Sequence, residues 1–236
     1  MIGCRPLTDD EIERIILNGF SGKHAWRNLA LFSVGLNTGF RVHELLSLKI
    51  GDVFKNDTVV YYVARPRGAM KRQKAGRTKK IQEQTRDILR EWIKQAIRDY
   101  GARPHWPLFF SQKNRLTPIT RKAALKILKT AFEEAGLVAT DRELGTHSMR
   151  KTFANRVYNF YMDEFRLGKT NEPPMYAVQR ALGHFSIKST LQYMSFKYEE
   201  IPDEELAIIK SDDAYREFKR KHEEHWREMK KKAKTA

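Results

Sequence analysis

The sequence predicts a mainly helical α+β domain with one small antiparallel β-sheet. Apolar residues recur at three- and four-residue steps through most of the chain, which is the spacing of helices that bury one face. A single stretch, from Asp57 to Gln82, instead carries a β-branched and aromatic run. With 236 residues, of which 41% are apolar, the chain is long enough for one sizeable domain or two small ones with a packed core.

The N-terminal part contains signals for three helices. Thr8 and Glu11 have the spacing of a capping box, so we expect the first helix to begin at Thr8. A second helix is predicted over about residues 23–37, with Gly39 ending it. A third, short helix is predicted over residues 41–48, because its apolar residues turn to one side.

The predicted sheet follows these helices. Residues 58–63 read Thr-Val-Val-Tyr-Tyr-Val, a composition typical of a strand. A basic, glycine-containing stretch comes next, and residues 78–81 would form the returning strand. We expect this to be the only sheet.

The segments after the sheet are predicted to be mainly helical. Helices are expected over about residues 85–99, 120–135, 147–162, 173–182 and 186–194. Residues 162–174 are polar and contain Gly168 and two prolines, which favours a surface loop between two of these helices.

The C-terminal part differs in composition, because the chain is highly charged from Pro202 onward. Larger side chains recur there at alternating three- and four-residue steps, at Tyr215, Phe218, His222, His225 and Met229. This pattern predicts an amphipathic helix. We therefore divide the chain into a domain over residues 1–200 and a charged, amphipathic helical tail over residues 201–236.

The charge of the chain predicts a polyanionic partner. The net charge is +16, although a generically basic protein, such as one associated with ribosomes, would have the same balance. The single cysteine, Cys4, excludes an intramolecular disulfide and a CxxC zinc site. The N-terminus lacks the apolar region of a signal peptide, and no run of 18 apolar residues occurs. We expect a cytoplasmic, nucleoid-associated protein with no membrane partner.

The first motif that suggests chemistry is TGFRVHELLSL over residues 38–48. Gly39 ends one helix and delivers Arg41 to the start of the next. A cation at a helix N-terminus is unfavourable unless an anion lies nearby, so the position would suit a phosphate. A surface arginine is the simpler alternative for this motif alone.

Two further motifs are weak when taken singly. His147 and Arg150 are three residues apart, which places them on one face of a helix. The arginine fork could hold two phosphate oxygens, and a neutral imidazole could accept a proton near pH 7. His184 follows a helix-ending glycine, and Tyr193 lies nine residues later. A core histidine and a packing tyrosine would be the alternative reading of that last pair.

In this order and spacing, the motifs resemble those of the tyrosine recombinases, the phage integrase family. That family carries an arginine in a TGxRxxE-L stretch, then HxxR, LGH and a tyrosine nine residues beyond that histidine. The resemblance covers about residues 7–198 and implies the catalytic-domain fold of the family over residues 1–200. It also implies a site-specific DNA recombinase that cleaves and rejoins DNA through a 3′-phosphotyrosyl intermediate.

The resemblance assigns a role to each motif residue. Tyr193 would be the nucleophile, and His147 would accept its proton, because a tyrosine hydroxyl with a pKa near 10 reacts poorly at neutral pH. Arg41 and Arg150 would hold the non-bridging oxygens of the phosphate. His184 would hydrogen-bond the phosphate or position Tyr193. The sequence has neither a phosphate-binding GxxxxGK[ST] loop nor an acidic cluster with metal-ligand spacing near the motifs, so we expect no cofactor, metal or ATP.

The basic stretch of the predicted hairpin would supply a general acid for the leaving 5′-hydroxyl. Lys74 precedes a small residue and a glycine, as in the Lys-x-Gly turn of the family, and Lys71 and Lys79 are its competitors. We also expect a set of cations to contact DNA phosphates, namely Lys71, Arg72, Arg77, Lys79 and Lys151.

The sequence departs from the pattern of this family in its N-terminal region. The catalytic pattern begins within a few residues of Met1, so we expect the N-terminal core-binding domain of most relatives to be absent. The partners implied are double-stranded DNA and further copies of the chain, as a dimer or tetramer on DNA. The C-terminal helix could join these copies, or could pack on its own domain.

Two other functions are compatible with the same motifs. A type IB topoisomerase uses similar chemistry to relax supercoiled DNA with one subunit and without a defined site. A non-catalytic DNA-binding regulator could retain the scaffold alone, although such a protein has no chemical reason to keep the tyrosine, both arginines and both histidines.

Overall fold

The computed structural model describes residues 4–64, 78–137 and 144–191, together with residues 216, 217 and 220. The helices are α1 (Asp9–Asn18), α2 (Ala25–Thr38), α3 (Val42–Leu46), α4 (Ile50–Val53), α5 (Glu83–Tyr100), α6 (Arg121–Glu134), α7 (Thr146–Arg166), α8 (Pro174–Leu182) and α9 (Ile187–Leu191). The strands are β1 (Phe54–Lys55), β2 (Thr58–Val59), β3 (Tyr62–Ala64) and β4 (Thr78–Lys80). The mainly helical α+β class is confirmed.

The capping signals at the N-terminus are present as predicted. The side chain of Thr8 accepts a hydrogen bond from the backbone N–H of Glu11, and the Glu11 carboxylate accepts one from the backbone N–H of Thr8. This reciprocal pair satisfies two donors that the first turn of a helix leaves without partners. The start of α1 is therefore fixed locally.

Helix α2 is the central element, since every one of its residues except Asn28 is buried. It packs against both α5 and α7. Trp92 of α5 is fully buried, and its indole N–H donates to the carbonyl of Leu108 at 2.9 Å. A second apolar cluster joins α7 to α8 and comprises Phe153, Ala154, Val157, Tyr161, Ala177, Val178, Ala181 and Leu182.

The prediction of a single sheet is wrong. Within the described residues, β1 pairs with β2 and β3 pairs with β4, in two separate antiparallel ladders. Asn56 and Asp57 both have positive φ angles, of 49° and 58°, which is the geometry of a tight hairpin turn. That turn pairs β2 with the preceding residues and separates it from β3, so the run over residues 58–63 is divided between two ladders.

One helix is longer than predicted, and one short helix was not predicted. Helix α7 continues to Arg166, so the expected loop over residues 162–174 shrinks to the seven residues between α7 and α8. The polar residues after Met162 are compatible with a helix, and the left-handed Gly168, at a φ of 67°, follows its end. Helix α4 was not predicted; the Asp52 carboxylate caps it by accepting from the backbone N–H of Lys49 at 2.7 Å.

The predicted C-terminal helix over residues 215–229 lies mostly outside the described residues. Residues 216, 217 and 220 are helical. Among the described segments, none of the helices combines the length and apolarity needed to cross a membrane.

Replacing Gly39 with alanine should destabilise the protein more than the same change at Gly101. Both glycines end a helix in the left-handed region, with φ angles of 62° and 64°, so both variants incur a backbone cost of about 1–2 kcal/mol. A Cβ at Gly39 would also overlap the Phe153 ring, whereas a Cβ at Gly101 would meet nothing within 4 Å. The free energy of unfolding, measured in urea, should fall by a further ~1–3 kcal/mol for Gly39→Ala. Equal losses would contradict this packing.

Candidate active site

The site forms where the C-terminal ends of α2 and α8 meet the first turns of α7. Arg150 of α7 lies at the centre and is only 2% exposed. Its Nη1 donates to the carbonyl of Gly39, just after α2. Its Nη2 donates to the carbonyl of Leu182 at 2.8 Å and lies 3.0 Å from Nε2 of His184. One guanidinium therefore connects the three sequence motifs.

Glycine shapes the turn that follows α2. Gly39 has a φ of 62°, and its missing Cβ leaves room for the ring of Phe153. Thr38 stabilises the same turn, because its hydroxyl donates to the carbonyl of Val34 at 2.6 Å and accepts from the backbone N–H of Phe40 at 3.3 Å. The turn places Arg41 immediately before α3.

Arg41 is held by a carboxylate that sequence reasoning did not assign to the site. Glu44 is 1% exposed, and it accepts from the backbone N–H of Arg41 at 2.8 Å and from the Arg41 Nη1 at 3.4 Å. The Arg41 side chain remains 36% exposed. Glu44 thus orients the guanidinium and leaves it accessible to an anion. The sequence signal for this role is the position of Glu44 three residues after Arg41, where its carboxylate also caps the short helix α3.

His147 lies in the first turn of α7, and its side chain is exposed. Partial desolvation of the imidazole lowers the pKa of His147 below its usual 6.5, and the cations Arg150, Arg41 and Lys151 lower it further. The folded chain therefore binds a proton at His147 less tightly than the unfolded chain does. As the pH falls below 6.5, protonation favours the unfolded chain, and the free energy of unfolding decreases. The imidazole is therefore neutral near pH 7.

His184 is buried, with 6% exposure, and both ring nitrogens have partners. Because Arg150 can only donate, Nε2 of His184 accepts from it, and the ring proton then resides on Nδ1. Nδ1 donates to Oγ1 of Thr190 at 3.2 Å, and that hydroxyl donates to the carbonyl of Ser186 at 3.3 Å. These contacts fix the plane of the imidazole.

The structure brings together four of the six predicted catalytic residues, Arg41, His147, Arg150 and His184. The other two, Lys74 and Tyr193, lie outside the described residues. The same is true of three predicted DNA contacts, Lys71, Arg72 and Arg77. Lys151 is half-buried on α7 and acts electrostatically on His147.

Lys79 does not have the surface position expected of a DNA contact. It is 4% exposed, and its Nζ donates to the backbone carbonyl of Ala181. The ammonium also lies 5.1 Å from the centroid of the Phe153 ring. The alternation of side chains along β4 turns Lys79 inward, and this burial keeps its charge away from a DNA backbone on the surface.

The sequence matches known proteins over most of its length. The model of the phage integrase family matches residues 5–200. The probable integrase/recombinase YoeC of Bacillus subtilis is 29% identical over 170 residues, which cover 71% of this chain and 77% of that protein. The type 1 fimbriae regulatory protein FimB of Escherichia coli K12 is 27% identical over 187 residues, which cover 79% of this chain and 82% of that protein.

A solved structure has the same fold. It is the XerH site-specific recombinase bound to a palindromic difH substrate, in a post-cleavage complex, with a TM-score of 0.60 and 25% identity. The similarity covers 81% of this chain and 49% of the XerH chain. The chain thus spans about half the length of this structural relative.

Removing the charge of Arg41 should raise the pKa of His147. In Arg41→Gln the partial desolvation of the imidazole remains, but one of the cations that lower its pKa is gone. An NMR titration of the histidine rings should place the His147 midpoint below 6.5 in the wild type, and higher in the variant. Lys94→Gln, which removes an exposed cation of α5 outside the site, should leave that midpoint unchanged. A wild-type midpoint at or above 6.5 would contradict the described environment.

Proposed function

The chain belongs to the phage integrase family, and on that premise we propose that it is a site-specific DNA recombinase acting through a 3′-phosphotyrosyl intermediate. The observation that carries the proposal is the Arg150 guanidinium, which contacts the Gly39 turn, the end of α8 and His184 at once. Three motifs that are far apart in sequence thereby meet at one cationic site, which is suited to a phosphodiester.

The reaction would proceed by transesterification. The hydroxyl oxygen of Tyr193 attacks the scissile phosphorus, and its proton passes to His147, which the lowered pKa keeps unprotonated at neutral pH. The bond between phosphorus and the 5′-oxygen breaks, and Lys74 protonates that oxygen. A second 5′-hydroxyl reverses these steps and rejoins the strand. The phosphotyrosyl bond retains the energy of the phosphodiester, so this exchange needs no nucleotide hydrolysis.

The phosphate would be held by groups with different exposure. Arg41 is accessible and oriented by Glu44, so it would donate directly to non-bridging oxygens. Arg150 is almost fully buried, so it would add positive charge from the wall of the site while it fixes His184. Both cations would stabilise the additional negative charge of the five-coordinate transition state.

The partner we propose is double-stranded DNA, bound by the chain as a dimer or tetramer. The XerH structure contains a palindromic substrate, and two identical half-sites are matched by two identical subunits. Residues 1–200 would form the catalytic domain, and residues 201–236 a helical tail that joins neighbouring subunits. The net charge of +16 suits binding to the nucleoid in the cytoplasm.

Two alternatives predict different products. A topoisomerase of type IB would relax any supercoiled plasmid, whereas a recombinase requires a defined site and exchanges strands between two of them. A non-catalytic regulator, the alternative suggested by the similarity to the fimbriae regulatory protein FimB, would bind DNA without forming a covalent link.

Replacing Tyr193 with phenylalanine should abolish the covalent link to DNA while leaving the fold and DNA binding intact. Duplexes nicked near the cleavage position trap the intermediate, because the short 5′ fragment diffuses away and cannot reseal the strand. Wild-type protein should form an adduct that protease removes, and Tyr193→Phe should form none. Tyr176→Phe, which alters an exposed tyrosine of α8, should form the adduct as the wild type does. Absence of an adduct with wild-type protein, on its own site sequences, would refute the enzymatic function.

A further inference from the structure

Lys79 occupies a position that its charge alone would not favour. It lies in the middle of β4, where it pairs with Val63 of β3, and both residues are buried. Transfer of an ammonium group out of water is costly unless the protein supplies compensating contacts. The groups that contact the Lys79 ammonium therefore indicate its role.

Three features of the surroundings stabilise the buried ammonium. Its Nζ donates to the carbonyl of Ala181 in the last turn of α8, where helix carbonyls lack partners within the helix. The C-terminal end of a helix carries partial negative charge, which favours a cation. The ammonium also lies over the Phe153 ring, 5.1 Å from its centroid, and aromatic faces attract cations.

The contact with Ala181 is linked directly to the site. The next carbonyl along α8, that of Leu182, accepts from Arg150. Two cations from different elements, Lys79 of β4 and Arg150 of α7, therefore hold consecutive carbonyls at the end of α8. Gly183 then turns the chain with a φ of 72°, and the next residue is His184.

Phe153 provides a second link between Lys79 and the site. The Lys79 ammonium lies over the Phe153 ring. The same ring fills the space beside Gly39 that a Cβ would occupy. The ring thus lies between Lys79 and the turn that leads to Arg41.

We propose that Lys79 is a positioning residue for DNA cleavage, which acts by holding the end of α8 so that His184 is placed against the phosphate. The proposal rests on the proposed function, since it assigns the effect to the cleavage step. It also separates Lys79 from the general acid: Lys79 neither contacts the phosphate nor protonates the leaving group, and that second role remains with Lys74.

The test compares three variants of β4 with reference variants of Lys74 and His184 in single-turnover cleavage of nicked duplexes. Lys79→Met removes the ammonium and keeps the length of the side chain, whereas Lys79→Arg keeps the charge. Lys80→Met is the matched control, because the neighbouring residue points to the opposite side of β4. Each is assayed on ordinary DNA and on DNA with sulfur in place of the bridging 5′-oxygen. A thiolate leaves without a proton, so this substrate corrects the loss of a general acid.

We expect Lys79→Met to cleave ordinary DNA about 10- to 100-fold more slowly, the loss typical of a group displaced by a fraction of an ångström to 1 Å. The sulfur substrate should not restore its rate, although it should restore that of Lys74→Ala. Lys79→Arg should recover most of the wild-type rate, and Lys80→Met should retain it. In a His184→Ala background, Lys79→Met should cause little further loss, because both changes remove the same contact.

Several results would overturn the proposal. Recovery of Lys79→Met on the sulfur substrate would make Lys79 the general acid. A wild-type rate for Lys79→Met, or a full additional loss in the His184→Ala background, would remove the link to His184. If thermal melting shows that Lys79→Met does not fold, Lys79→Gln, which removes the charge but keeps a polar side chain, is carried through the same comparison with His184→Ala, and a wild-type rate or additive losses again refute the link. Absence of any adduct from wild-type protein refutes the proposed function instead.

Discussion

The architecture of the site depends on one buried cation, the guanidinium of Arg150. A charge that is 2% exposed must recover the hydration it loses through hydrogen bonds inside the protein. Arg150 does so with the carbonyls of Gly39 and Leu182 and with the ring of His184. These contacts come from the turn after α2 and from the end of α8, so the need to satisfy one guanidinium determines how α2, α7 and α8 meet. Arg41 and His184 are then placed by turns that begin at these contacts.

The C-terminal ends of α2 and α8 have the same geometry and the same role in the site. Both helices finish at a left-handed glycine, Gly39 and Gly183, with φ angles of 62° and 72°. Both direct a C-terminal end, with its partial negative charge, towards Arg150. Glycine is needed because the chain must turn sharply at once after each helix. The site therefore concentrates cations where two helix ends offset part of their mutual repulsion.

Local signals in the sequence account for most of the helices, because the residues that begin and end them act within one turn. The capping box of Thr8 and the glycine at position 39 needed no tertiary information. The sheets did need tertiary information. The left-handed Asn56 and Asp57 form a turn that pairs β2 with Phe54 and Lys55, a two-residue strand too short to be recognised from its composition. Motif spacing identified Arg150 and His184 but not their mutual hydrogen bond. It also gave no sign that Lys79 is buried, because burial depends on where α8 packs.

The cations of the site also control its acid–base chemistry. Arg150, Arg41 and Lys151 add to the desolvation that lowers the pKa of His147, which keeps the imidazole neutral before DNA binds. A phosphodiester placed among these cations carries the opposite charge, so it offsets their effect and raises the pKa of His147. In the proposed mechanism, the imidazole would then be a stronger proton acceptor when the substrate arrives. In the proposed mechanism, the same positive charge that attracts the phosphate would thus keep His147 unprotonated until the phosphate is in place.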